Sequence, residues 1–298
     1  MKLTTFLQLL RINQWYKNLV IYLALIFSNL LFDGRLFLLT TIGLLSLCLI
    51  SSTNYIINDI IDKKRDLKHP EKKLRPVASG KISVKTALFI GAIILSLSLL
   101  IAYKISIIFL ISIVGLFILT LFYSIYLKNI VLLDIILVSA NFVIRAISGT
   151  FIINRILSPW LILCPFFLAL FLIVGKREAD IKILGSNAFK HKEVLKYYTP
   201  EINNILMIIS TTLLITSYSL YAFLGEHKNL LLTLPFAIYV ILRYLYLIYS
   251  GSEIARKPNL IYKDRALMIG ILLWIIAIFF MLYLNFNTYQ IIYPNLSS

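Results

Sequence analysis

Charge is scarce in this chain of 298 residues: 14% are charged and 60% hydrophobic, with a mean hydropathy of +0.90. A soluble domain carries about 25% charged residues, so that class is excluded. Cysteine is almost absent. Cys48 and Cys164 both fall inside apolar runs with no CxxC spacing and no histidine partner, which removes a disulfide framework and a zinc site and leaves two small hydrophobes. No cleavable leader is expected, because Arg11 and Lys17 interrupt the first apolar stretch and no small-residue cleavage site follows. Also missing are glycine- or proline-interrupted spans at matched positions, a mark of secondary transporters; Pro159 and Pro165 flank one span only.

What the chain has is apolar length. Runs at 17–32, 36–57, 86–103, 105–127, 130–153, 157–175, 202–224, 229–250 and 266–284 are mostly long enough to cross about 30 Å of hydrocarbon as helices. The expected fold is therefore an all-α integral membrane protein with nine transmembrane helices. Lys and Arg fix its orientation: 23 of 29 fall on the side that holds the N-terminus, which predicts a cytoplasmic N-terminus. The same asymmetry accounts for most of the net charge of +16 and removes the reason to expect nucleic-acid binding. The two longest loops, after spans 2 and 6, lie four spans apart. That spacing predicts one polytopic domain, 1–298, built as two four-helix halves at about 1–153 and 154–250 that face a shared cavity, with a ninth helix at about 263–285.

Acids are rarer than bases, 13 against 29, and three of them cluster at a membrane edge. The segment NDIIDKKRDLKHPEKKLRPVASGK runs from Asn58 to Lys81. Asp59, Asp62 and Asp66 stand at i, i+3 and i+7, so a helix continuing out of span 2 would point all three the same way. Magnesium takes one or two protein carboxylates and fills its shell with water and substrate phosphate. Carboxylates followed by Arg65, Lys72, Lys73 and Arg75 suit a metal-bridged polyphosphate whose remaining charge the cations neutralise. A solvated loop in which acids and bases balance is the competing account. With an apolar bundle beneath, the geometry favours joining a polar group to a lipid.

The second charged loop, GKREADIKILG from Gly175, carries Lys176, Arg177, Glu178 and Asp180. Positive-inside anchoring with a local Lys176–Asp180 pair explains the bases but has no use for the acids. Charges within spans are costly unless paired or hydrated. Asp134, Arg145 and Arg243 are such charges; Arg145, preceded one turn earlier by Asn141, reads as an anion ligand, and Arg243 reads equally as half of an interhelical ion pair. Lys17 reads as either a ligand or a snorkelling anchor, and Asp264 as a helix-start residue.

These residues together resemble a known family. The Asn58–Gly80 segment resembles the first aspartate-rich motif of the UbiA-type polyprenyl transferase superfamily, helical membrane proteins with nine spans around a central cavity. RINQWYKN, the span-5 segment ending RAISG, the GKREAD loop and YKDRAL are similar to its decaprenyl-phosphate phosphoribosyltransferase branch. Aromatic prenyltransferases of the superfamily carry a second aspartate-rich motif where this chain has Lys176 and Arg177 ahead of its acids. The branch typically has glutamate in place of Asp180. The resemblance implies a plasma-membrane enzyme working at the cytoplasmic face, with Mg2+ as cofactor, phosphoribosyl pyrophosphate as donor and a polyprenyl phosphate as acceptor. It implies that Asn58, Asp59, Asp62 and Asp66 hold the metal, that Arg65, Lys73 and Arg75 bind donor phosphates, and that Lys17, Arg145, Lys176 and Arg177, beside Glu178 and Asp180, serve substrate binding. Transfer of a prenyl chain to an aromatic or lipid acceptor is the alternative. Homo-oligomerisation stays open.

Overall fold

The structure is a computed structural model that describes residues 2–68, 72–185 and 193–284, all in helices and their connections. Among the described residues, eight helices are long and apolar enough to cross a membrane. The chain divides at Leu161–Ile162 into two compact units.

The first unit opens with α1 (Leu3–Leu10), a 3₁₀ run over Ile12–Ile21 and the short α2 (Tyr22–Phe27). The end of the 3₁₀ run and α2 cover most of the 17–32 apolar run, which sequence pattern predicts as one continuous span. The difference has a packing cause: Gly149 presses against the Ile21 carbonyl so closely that a Cβ would collide with it, and Asn18 turns inward to bond Cys48 and Ser51. The unit's longest helix, α3 (Gly34–Ile61), starts where the Asp33 carboxylate accepts from the amides of Arg35 and Leu36, both at 3.0 Å. It is followed by α4 (Lys63–Asp66), α5 (Val84–Ile105), α6 (Ile107–Ile125) and α7 (Leu133–Ile153). The break between α5 and α6 falls at Ser106, two residues past the expected point. Its extended backbone ends one helix, and its hydroxyl accepts from the Phe109 amide at 3.0 Å to start the next.

Leu47 and Ile50 of α3 meet Phe109, Ile113 and Leu116 of α6 and Ile152 of α7 in an apolar core that also takes in Ile21. Ser46 and Ser98 clasp α3 to α5 by reciprocal hydroxyl-to-carbonyl bonds of 2.9 Å, the polar adhesive expected between membrane helices.

The second unit takes in most of α8 (Pro159–Leu184), then α9 (Pro200–Leu224), α10 (Leu234–Tyr249), α11 (Glu253–Arg256) and α12 (Arg265–Tyr283). Thr199 and Asp264 cap α9 and α12 through the Ile202 and Leu267 amides. Tyr218 ties the unit together, paired with Thr233 at 2.6 Å and receiving the Trp274 indole N–H at 3.1 Å. Lys190 and Lys192 of the second loop, and the last expected residue of the ninth helix, lie outside the described residues.

Candidate active site

The acidic motif does not continue as one helix. α3 ends at Ile61, Asp62 breaks the α geometry at φ −85 and ψ 4, and α4 begins at Lys63. The bend separates carboxylates that periodicity places on one face. Asp59 and Asp66, 1% and 2% exposed, converge on a single nitrogen: Arg75 Nη1 donates to Asp59 Oδ1 at 3.1 Å and to Asp66 Oδ2 at 2.6 Å. Asp62 turns to Lys128, at 2.7 Å. Arg75 can reach inward because its loop is anchored beyond it, with Val77 and Ile82 in the core beside Leu9, Ile56 and Ala87. Gly80, at φ 76, makes the left-handed turn that returns the chain to α5.

A second guanidinium sits on the same oxygen. Arg11, in left-handed backbone at φ 51, pairs with Asp59 Oδ1 and lies 4.7 Å above the Tyr55 ring. Burial lowers its pKa, and Asp59 offsets only part of that effect. Asp59 Oδ2 is buried and has no hydrogen-bond partner.

Further along α3 the wall stays polar for about two turns. Asn54 is buried with its Oδ1 unpartnered, and Ser51 donates to Asn18 Oδ1 at 3.3 Å. Trp15 donates its indole N–H to Ser52 at 3.1 Å. Lys17 lies within electrostatic reach of both Arg11 and Arg145. Arg145 stands 5.4 Å over the Phe142 ring with its Nε buried and unpartnered. Asn58 and Arg65 are partly buried, and Lys73 is exposed. Burial and the charge of Arg75 lower the pKa of Lys72, opposed by Asp66 and Asp62. Asp134, read from sequence as an intramembrane acid, is fully buried in the first turn of α7, where the helix N-terminus favours a negative charge.

In the second unit, Arg177 and Glu178 are buried and Lys176 is exposed. Asp180 accepts from Arg256 Nε at 3.1 Å, a partner from beyond its own helix, and Glu178 pairs with Lys182 at 3.1 Å. Lys182 also lies 4.8 Å from the Tyr249 ring. Arg243 meets Asp264 through two nitrogens, at 2.8 and 3.3 Å, as the ion-pair reading anticipated.

Among the described residues no three His, Cys, Asp or Glu side chains converge as a ready metal cage. The donor set nevertheless fits magnesium. Two buried carboxylates already share one cationic atom, one of their oxygens is unpartnered, and the remaining positions of a magnesium shell are ordinarily water and phosphate.

The UbiA prenyltransferase family model matches residues 19–260. The chain belongs to that family. It is similar to decaprenyl-phosphate phosphoribosyltransferase of Mycolicibacterium smegmatis, at 32% identity over 283 residues covering 89% of this chain and 88% of the relative. The enzyme of the same name from Corynebacterium glutamicum is 29% identical, covering 92% and 86%. Among solved structures, a UbiA homolog from Archaeoglobus fulgidus bound to DMAPP and Mg2+ superposes with a TM-score of 0.72 at 22% identity, covering 93% of this chain and 99% of the other. The helical fold expected from sequence is thus the fold of the family.

Within this UbiA-family chain, sequence reading missed Arg11, Lys128 and Arg256 as partners of motif carboxylates, having assigned them to topology. A basic residue between membrane spans is the same signal for both roles. Only the left-handed turn at Arg11 and the interhelical distances separate them.

Proposed function

We propose that this protein transfers a 5-phosphoribosyl group from phosphoribosyl pyrophosphate to a polyprenyl phosphate, releasing pyrophosphate, at the cytoplasmic face of the plasma membrane. The observation that carries the reading is the cation-rich, polar interior beneath the Asp59–Asp66 pair. A hydroxylated, multiply charged sugar phosphate matches that wall, and a prenyl tail does not. The names of the Mycolicibacterium and Corynebacterium relatives agree with it.

Asp59 and Asp66, with Asn58 and Asp62 beside them, would hold Mg2+, which when bound neutralises charge on the leaving pyrophosphate. Arg75, Arg65 and Lys73 bind the donor's phosphates, and Lys17 and Arg145 orient the acceptor's phosphate. That phosphate is already anionic, so its oxygen attacks the anomeric carbon without a general base. One C–O bond forms as the bond to pyrophosphate breaks, with inversion at the ribose carbon. In the second unit, Lys176 and Arg177 act as phosphate contacts, while Glu178 and Asp180 hold Lys182 and Arg256 in place.

The test supplies purified protein with ribose-labelled phosphoribosyl pyrophosphate and a polyprenyl phosphate, with and without a magnesium chelator. A lipid-extractable labelled product that disappears with the chelator is expected. No labelled lipid, together with turnover of a prenyl diphosphate and an aromatic acceptor, would install the prenyl-transfer alternative, which is the activity in the family's name.

A further inference from the structure

Resting on the diphosphate-donor reading above, we propose that Arg11 is a donor-binding residue: its guanidinium occupies Asp59 until a metal ion takes that carboxylate, and then transfers to the donor's diphosphate. Three observations converge on this. Arg11 ends α1 in left-handed backbone, φ 51 and ψ 49, a conformation disfavoured for any residue with a Cβ. That turn carries the side chain across the Tyr55 ring to a carboxylate 48 residues away in sequence. The strained backbone is what places the cation there.

Charge is the second observation. Among the described residues, those coupled to Asp59 and its neighbours along α3 are Arg11, Lys17, Arg75 and Arg145, four positive charges against two negative from Asp59 and Asp66, since Asp62 is engaged by Lys128. An excess of two positive charges in a half-buried setting calls for an anion. The third is occupancy of the carboxylate. Asp59 Oδ1 serves two guanidinium groups while Oδ2 serves none, so a metal ion entering at Asp59 competes with Arg11 directly. A displaced guanidinium is a planar, two-pronged donor well suited to phosphate oxygens.

The exchange predicts effects of opposite sign, which a purely structural clamp would not give. Arg11→Gly keeps the left-handed turn, because glycine adopts it freely, and removes only the cation. Magnesium pyrophosphate, titrated calorimetrically into the full-length protein, is expected to bind this variant about ten- to a hundred-fold more weakly than wild type. Mn2+ alone, followed by electron paramagnetic resonance, is expected to bind it about ten-fold more tightly, its competitor at Asp59 being gone. Arg11→Lys should fall between the two in both measurements. If both ligands weaken together, or neither changes, in Arg11→Gly while wild type binds normally, the assignment of Arg11 is overturned. Failure of wild type to bind magnesium pyrophosphate at all would overturn the diphosphate-donor reading itself.

Discussion

At Asp59 one carboxylate oxygen meets two guanidinium groups and the other has no hydrogen-bond partner among the protein's own groups, which leaves it open to a further ligand. Asp59→Asn keeps the volume and removes the charge. It should leave the protein folded in detergent, with a circular dichroism spectrum like wild type, and lower ribosyl transfer by about a hundred-fold or more, on the scale of losing one preorganised electrostatic group. Arg145 is the converse case, a cation whose Nε is buried without a partner. Arg145→Met, of similar volume, is expected to keep or raise the melting temperature while raising the KM for polyprenyl phosphate about ten-fold; a lower melting temperature with unchanged KM would make Arg145 structural. Sequence made Asp59, Asp66 and Arg75 legible because an acidic cluster in so acid-poor a chain stands out. It concealed Arg11 and Lys128, since a base that anchors topology and a base that holds a carboxylate have the same local context.

At the scale of elements, periodicity located seven helices to within a few residues, because long apolar runs between serine, threonine and aspartate caps leave little choice, whereas α8 runs on to Leu184, nine residues past its expected end, so that Lys176, Arg177, Glu178 and Asp180 lie on helix and not in a loop. It failed at two further places, both set by contacts distant in sequence. The 12–27 stretch follows the close approach of Gly149 to Ile21, and the acidic motif bends at Asp62 where Lys128 takes its side chain. Gly149→Leu should therefore destabilise the protein by about 1–3 kcal/mol, the range for overpacking, seen as a lowered thermal midpoint in detergent. The α12 cap supplies a pH test. The hydrogen bond from Arg243, with the Leu267 amide adding to it, holds the Asp264 pKa below the ordinary carboxylate value. A group whose folded value is depressed contributes stability above its unfolded pKa and loses it as pH falls through the folded one. The wild-type melting temperature should thus drop below about pH 4 by more than that of Asp264→Asn, whose cap carries no titrating proton.

Across the whole molecule, the distribution of lysine and arginine predicts that the acidic rim faces the cytoplasm. In a variant lacking Cys48 and Cys164, a single cysteine at Lys104 should react with an impermeant maleimide in intact cells, and one at Lys73 only after permeabilisation; the reverse pattern would invert the orientation. Membrane class and family were readable from composition and motifs because lipid restricts the backbone to helices and barrels. The division at Leu161–Ile162 was not marked by any linker composition, since the boundary lies within the first turn of a membrane helix. The central claim is that Asp59 and its neighbours carry a metal on the donor's diphosphate. It is tested most directly by 31P electron–nuclear double resonance on Mn2+ added with phosphoribosyl pyrophosphate. Wild type should show phosphorus coupling to the bound ion, and Asp59→Asn should lose it. Identical spectra from the two proteins, or manganese bound with no phosphorus nearby, would contradict the account.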